Sequence, residues 1–385
     1  MKITVLGAGA MGSAVASALC HNDAITRVQV CEARPAVLRT FQASASHPKL
    51  RAIEADARDL KALEALLANS ACVISCVDPD LNPRLAALAV EQGAHFVDLG
   101  GPEPILAREQ GLATLAEEHQ RWIVPGCGLA PGLANVLTMR GLAQFEQATE
   151  VRILVGDVPT EPTEPFNYRL AHSAEKLLED YTTPVHILRE GKNETIDPLT
   201  GVETVEVEGL GTMEAFYASD LTMLVHALEG RLQTLDVKTL RYPGHAHQMQ
   251  FLMALGLADR QTLDVRTHLS YRDVLARRLR QRLGGTYADT VVVRIEITGE
   301  RDGRTQTLTY DLVDRFDEAT GLSAMQRCTA FTAVTIAELL AAKQIAGGGV
   351  APPEQLVPMD RFFDALAARG ITIQERWTAR EAVAA

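Results

Sequence analysis

Cysteine is scarce: six in 385 residues, with no Cys-x-x-Cys pair. That excludes a disulfide framework. Cys20, Cys31, Cys72 and Cys76 lie in apolar helix or strand contexts, where a free thiol behaves as a small hydrophobe. Basic residues are also in short supply, 37 against 49 acids, leaving a net charge of −12. A nucleic-acid partner calls for a basic surplus or stripe, so none is expected. No uninterrupted apolar run is long enough to span a bilayer, so no membrane partner is expected either. Met1-Lys2 leads directly into Ile3-Thr4-Val5-Leu6 with no cleavage site behind it, so no secretory leader is expected. There is no internal repeat and no low-complexity segment. The expectation is a soluble, reduced, cytoplasmic protein. What is present, 47% apolar and 22% charged residues, suits a full core. At roughly 100–200 residues per domain the length is most simply two domains.

The first 125 residues alternate strand and helix. Apolar runs at Ile3–Leu6, Val28–Cys31, Leu50–Ile53, Cys72–Cys76, His95–Leu99 and Trp122–Val124 are short and bounded by Gly, Pro or Asp. Ala- and Leu-rich stretches with helical spacing lie between them. Strands buried on both faces read this way, and crossover helices make the sheet parallel. The fold class is therefore α/β, a doubly wound Rossmann parallel sheet. After Pro125 longer alternating segments follow: Glu150–Val155, Thr204–Val207, Asp236–Tyr242, Thr290–Thr298 and Thr305–Asp311. With helical stretches near 169–181, 219–229, 268–283 and 328–344, these predict a second, α+β domain of mostly antiparallel strands.

Gly7-Ala8-Gly9-Ala10-Met11-Gly12 is a G-x-G-x-x-G between a strand and a helix, and Glu32 follows 20 residues after Gly12 at the end of the next strand. Together these form a dinucleotide fingerprint. Gly7 allows the tight turn, Gly9 the approach of the pyrophosphate, and Gly12 close helix–strand packing. The helix N-terminus, at Ala10 and Met11, offers free N–H groups to the phosphates. Glu32 would bind the ribose hydroxyls and repel a 2′-phosphate, which favours NAD, whereas the nearby Arg34 is the kind of residue that holds a 2′-phosphate in NADP. FAD uses the same fingerprint. Asp56 past the third strand, Ser75-Cys76-Val77, and Asp98 with Gly100 sit near strand carboxyl ends, where open parallel sheets bind ligands. Their plain alternative is ordinary loop chemistry.

Pro125–Asn135 is dense in Gly and Pro before a helix, a hinge with an anion-friendly helix start or a simple linker. Gly7–Gly12, Val97–Gly101, Gly128-Leu129-Ala130-Pro131-Gly132, Glu175 to Tyr181 with Pro184, Glu214-Ala215-Phe216, Arg241-Tyr242-x-Gly244-His245 and Gly349-Val350-x-Pro352-Pro353-Glu354 run in order over nearly the whole chain. In these the chain resembles the saccharopine dehydrogenase/reductase-like family, and within it the L-lysine 6-dehydrogenases. The resemblance implies a nucleotide domain of residues 1–125 plus about 328–385, a substrate and dimerisation domain of 126–327, and a homodimer or higher homo-oligomer. It also implies an NAD-dependent oxidation of the lysine ε-amine to the semialdehyde, which cyclises to piperideine-6-carboxylate.

Such a reaction needs a cation for the α-carboxylate, a base for the ammonium proton, and the ε-carbon within about 3–3.5 Å of the nicotinamide. Arg241 is the candidate carboxylate clamp, because a planar guanidinium holds both oxygens. Tyr168 matches the family's aromatic and is assigned to substrate contact or proton relay; a core tyrosine is its alternative. Glu175 and Glu214 lie in matched segments as candidate base or ammonium ligand, with helix-surface acids the alternative. His245 is a candidate base and Tyr242 a substrate contact. His245-x-His247 lacks further spaced ligands, so no metal is expected. The chain departs from the lysine 6-dehydrogenase pattern at Asp157, His172 and at Ser219-Asp220, and Asp220 is carried as a substrate-binding candidate. Three readings follow in order: an amine dehydrogenase, a saccharopine- or carboxynorspermidine-type reductive condensation with Arg152 and Arg169 as spare cations, and a dinucleotide-binding scaffold without turnover.

Overall fold

A computed structural model of the chain describes residues 1–379 except His172, Ser219, Asp220, Asp264, Val265, Thr267 and Thr286. It opens with β1 (Lys2–Leu6), α1 (Ala10–Cys20), β2 (Arg27–Glu32), α2 (Pro35–Ser44), β3 (Leu50–Glu54), α3 (Leu60–Leu67), β4 (Cys72–Ser75), α4 (Asn82–Glu91), β5 (His95–Asp98), α5 (Glu103–Gln110), α6 (Ala113–Glu118) and β6 (Trp122–Val124). Next come α7 (Leu133–Leu142), β7 (Gln147–Pro159), α8 (Ala174–Asp180), β8 (Val185–Arg189), β9 (Lys192–Ile196), β10 (Glu203–Val207), β11 (Gly211–Phe216), α9 (Thr222–Leu228), β12 (Thr234–Arg241), α10 (His245–Ala254), α11 (Tyr271–Leu283), β13 (Asp289–Arg301) and β14 (Arg304–Arg315). The chain ends with α12 (Ala324–Ala341), β15 (Gly349–Val350), α13 (Pro353–Leu356), α14 (Met359–Ala368) and β16 (Ile373–Ala379). Two compact units result: Met1–Met139 with Gln326–Ile371, and Arg140–Met325 with the chain from Thr372.

Among the described residues the first unit holds a seven-stranded sheet in the order β15-β6-β5-β4-β1-β2-β3, every pair parallel. The chain winds outward from β1 through β2 and β3, then returns to β4 on the other side. That reversal leaves a crevice beyond the carboxyl ends of β1 and β4, where this architecture places ligands. The apolar runs become strands because both sheet faces are covered. Val5, Leu6, Ile74, Phe96 and Val97 are fully buried, each large side chain contributing about 1.5–3 kcal/mol.

The second unit is built on a mixed sheet in the order β10-β11-β12-β7-β13-β14-β16, with β8 and β9 added beside β12. The β12–β7 pair is parallel and the others are antiparallel. The expected doubly wound sheet and mostly antiparallel second domain are both present. Tyr168, Leu177, Leu178, Tyr181, Phe216, Met249, Leu275 and Leu279 form one core of this unit. The helix α11 is fixed by a capping box in which Ser270 and Asp273 satisfy each other's backbone N–H.

The compact units divide differently from the expected domains at two points. The first unit extends through Met139, past the expected end at 125. The segment after Ile371 does not belong with the nucleotide domain: β16 pairs antiparallel with β14 in the second sheet. The unfilled edge of β14 takes the strand, and Trp377 seals it by packing on Phe145 at 5.3 Å between ring centroids, beneath the Arg301 guanidinium.

Candidate active site

In the first unit the turn after β1 is closed on itself. Gly7 has φ +94°, and a Cβ on Gly12 would lie 2.0 Å from the Gly7 carbonyl oxygen. Only glycine lets α1 settle on this turn. Gly9, the N-cap of α1, has nothing within 4 Å of the position a Cβ would take. The backbone there faces open space, with the first-turn N–H groups of Ala10, Met11 and Gly12 lacking intrahelical acceptors. Glu32 is buried at the end of β2; its Oε2 accepts the Ala8 N–H at 3.0 Å, and its Oε1 accepts the Arg34 N–H and Nε, both at 2.9 Å. Burial alone would raise the Glu32 carboxyl, but the hydrogen bonds from Arg34 and Ala8 outweigh it and hold the pKa below the usual range. Arg34 itself is 67% exposed. Open backbone N–H groups, a close-packed glycine turn and an ionised acid suit a dinucleotide.

At the neighbouring strand ends Ser75 Oγ donates to Asn82 Oδ1 at 2.7 Å, and Cys76 N–H donates to the Leu6 carbonyl at 2.8 Å. Burial, with the charge of Asp98, pushes the Cys76 thiol up to about 12, so it is no nucleophile at neutral pH. Val77 is half-buried beside it, and Asp56 is exposed past β3 with its Oδ1 accepting the Arg58 N–H. Asp98 is fully buried; its Oδ1 accepts N–H groups from Gly100 at 2.6 Å and Gly126 at 3.2 Å, tying two loops to the end of β5. Glu109 on α5 faces it, also fully buried. Burial and the charge of Asp98 push Glu109 upward, so Glu109 holds a proton against the Asp98 carboxylate.

In the second unit a charged row crosses four adjacent strands. Glu214 on β11 is the register partner of Arg241 on β12. Leu240 pairs with Gly156, so the next position places Arg241 beside Asp157 on the parallel strand β7. Asp157 pairs with Val291 and Pro159 with Asp289, which makes Asp157 and Asp289 diagonal neighbours on one face. The outer acids are engaged by the fold. Glu214 accepts N–H groups from Gly244 and Ala246 at 2.8 and 2.6 Å and so caps α10. Asp289 accepts those of Ala324 and Met325 at 2.7 and 3.0 Å and caps α12.

Arg241 lies 4.7 Å above the Tyr168 ring, and its Nη1 donates to the Leu240 carbonyl, while its buried Nε has no acceptor. His245 stands 5.1 Å from Tyr168, ring to ring. Its Nε2 bonds the Tyr181 hydroxyl at 2.8 Å and its Nδ1 the Phe166 carbonyl at 3.0 Å. Burial, then the Arg241 charge, push His245 down to about 3, so the imidazole is neutral. It therefore donates from Nδ1 to Phe166 and accepts at Nε2 from Tyr181.

The family profile of the saccharopine dehydrogenase NADP binding domain matches residues 3–123, and that of the saccharopine dehydrogenase C-terminal domain matches residues 128–371. The chain belongs to the saccharopine dehydrogenase family. The saccharopine dehydrogenase [NADP(+), L-glutamate-forming] of Saccharomyces cerevisiae is 22% identical over 274 residues, 66% of this chain and 58% of that enzyme. The matched region is thus little more than half of that relative. The solved apo saccharopine dehydrogenase (L-Glu forming) of the same yeast shares the fold, with a TM-score of 0.82 at 18% identity over 98% of this chain and 100% of that one.

Of the family-matched residues, Arg241, Tyr168 and His245 come together around Tyr181. Glu175 does not join them: it is exposed on α8 and ion-paired with Arg280. Glu214 neighbours Arg241, but both of its oxygens are bound to backbone N–H groups. Tyr242 turns its hydroxyl to the Pro159 carbonyl at 3.0 Å. Asp220 lies outside the described residues. Among the described residues no group of three His, Cys, Asp or Glu side chains is arranged to hold a metal, and no helix is long and apolar enough to cross a membrane. Sequence reasoning missed Tyr181, Asp289 and Glu109. Glu109 had a signal, an acid four residues after Ile105 on the apolar face of a helix.

Proposed function

We propose that the chain is an NAD(P)-dependent oxidoreductase acting on the C–N bond of an amino acid, and specifically that it oxidises the ε-amine of L-lysine to the semialdehyde. The observation that carries this reading is Arg241. A guanidinium placed over the Tyr168 ring, with a buried Nε still lacking an acceptor, suits a carboxylate on its planar edge. The same chain carries the dinucleotide fingerprint, with Gly7, Gly9, Gly12 and the N–H groups of Ala10 and Met11 for the pyrophosphate and Glu32 for the ribose. When bound, the nicotinamide supplies a hydride acceptor. Tyr168 lies under the Arg241 guanidinium, and the neutral His245 fixes the Tyr181 hydroxyl beside it. Asp98, clamped by Gly100 and Gly126 and backed by Glu109, shapes the end of β5. Because Glu32 is ionised and would repel a 2′-phosphate, NAD is the preferred form in this reading.

A saccharopine-type reductive condensation is the second reading, favoured by the full-length fold match to the yeast enzyme. It needs a second cation for its extra carboxylates. Arg152 is ion-paired with Glu203 at 2.9 Å and Glu296 at 3.3 Å, which leaves Arg169 to serve. Purified protein should be offered NAD and NADP with L-lysine, L-ornithine, diamines and saccharopine, following NAD(P)H absorbance. Turnover of lysine supports the first reading, and turnover of saccharopine alone replaces it with the second. Nucleotide binding without turnover on any member overturns both in favour of a scaffold.

A further inference from the structure

Asp157 has no place in the chemistry above, yet it is buried deep in the second unit. It is 4% exposed, and neither carboxyl oxygen has a hydrogen-bond donor among the described residues. A buried polar group left in this way is destabilising. The two groups that flank it in register explain why no cation or N–H donor reaches it. Asp289 uses both oxygens on the N-terminus of α12, so it offers Asp157 no donor of its own. Arg241 is held on Tyr168 and turned to the Leu240 carbonyl, and it forms no ion pair with Asp157. Glu214, beyond Arg241, is spent on α10. Of the four side chains in the row, the fold commits the outer two to helix N-termini, while Asp157 has only the Asp289 carboxyl beside it and Arg241 keeps a buried Nε without an acceptor.

We propose that Asp157 and Arg241 together read the zwitterionic head of an α-amino acid, Arg241 taking the carboxylate and Asp157 the ammonium. This rests on the proposed amino-acid substrate and adds the residue that selects its head group. It also bears on which C–N bond reacts. An amine must be unprotonated for a hydride to leave its carbon, and an ammonium locked on Asp157 is kept protonated. The reacting C–N bond is then the distal one.

Burial and the facing Asp289 carboxyl push Asp157 far above the ordinary carboxylate range, with the Arg241 charge opposing only in part. The phenols of Tyr168 and Tyr287 are the other titratable groups that sense this charge, and burial pushes both upward as well. The shift favours the protonated acid as long as no ammonium faces it. An arriving ammonium replaces that proton on the carboxylate, and one proton is released to solvent for each head group bound.

Titration calorimetry on the full chain with NADH present tests this without turnover. The probes are L-lysine, 6-aminohexanoate, which lacks the α-amine, and 1,5-diaminopentane, which lacks the carboxylate. Measurement in two buffers of different ionisation enthalpy counts the protons. The expected results are L-lysine bound at least tenfold more tightly than either analogue, with release of about one proton. Asp157→Asn keeps the size and can still donate to Asp289, so its fold, checked by melting temperature, should persist. It should bind L-lysine and 6-aminohexanoate alike and release no proton. If Asp157→Asn melts early, Asp157→Gly gives the same comparison. Equal binding of lysine and 6-aminohexanoate by the unaltered protein, no binding of any probe, or undiminished discrimination in the variants overturns the proposal. If discrimination and proton release hold while no amine is turned over, the proposed activity fails and this inference stands.

Discussion

Arg241 and Asp157 stand side by side on neighbouring parallel strands and yet make no bond to each other. The register brings them together, and the stacking of Arg241 on Tyr168 turns the guanidinium elsewhere. A cation and an acid at this depth are normally paired, because the desolvation of each is offset only by the other. Their separation marks the centre of the second unit as built for something other than its own stability.

Arg241→Lys keeps the charge and loses the planar fork. The KM for the amino-acid substrate should rise about 10- to 100-fold, as expected for loss of a bidentate charge-assisted contact. The dissociation constant for NADH should be unchanged, as read by nucleotide fluorescence. Equal weakening of both ligands would remove Arg241 from substrate binding.

Glu214→Gln tests the assignment of this acid to the fold. It leaves α10 with one good acceptor in place of two and should cost about 1–2 kcal/mol in urea unfolding. A large loss in substrate affinity with stability intact would return Glu214 to the binding site.

His245 predicts an acid limb of stability. The folded value is pushed down to about 3, while an unfolded histidine titrates near 6.5. Below that the unfolded chain takes up a proton that the folded chain refuses, so stability falls as pH drops from about 6.5 toward 3. The slope approaches about 1.4 kcal/mol per pH unit. His245→Gln, compared by urea unfolding at several pH values, should flatten this limb. An unchanged slope would show that the acid sensitivity lies elsewhere.

Cofactor choice turns on Glu32 and Arg34. Glu32→Ser removes the acid and frees Arg34 from its 2.9 Å bond, so the ratio of kcat/KM for NAD over NADP should fall at least about tenfold. A protein that already prefers NADP, with a ratio unmoved by the substitution, would contradict the role given to Glu32.

The first unit is legible in the sequence because a parallel sheet covered on both faces writes each strand as a continuous apolar run. The fingerprint is legible for a related reason, since Gly7, Gly12 and Glu32 must fall at fixed distances for the turn to close. The row through Glu214, Arg241, Asp157 and Asp289 could not be read. It exists only once four strands far apart in the chain adopt their register, and a shift of one residue would send alternate side chains to the other face. The position of β16 was hidden in the same way. Five of the seven residues of its sequence IQERWTA are exposed, and what places it is the edge of β14 with Phe145 against Trp377. Glu175 shows the converse, an acid in a matched segment that the fold turns toward solvent and Arg280.

The most direct test of the account follows the hydrogen itself. L-lysine carrying deuterium on its ε-carbon is incubated with the protein and NAD, and the reduced nucleotide is analysed by mass spectrometry. The account predicts one deuterium on the nicotinamide ring for each semialdehyde formed. Reduced nucleotide free of deuterium, or no reduced nucleotide from lysine at saturating NAD, would contradict it.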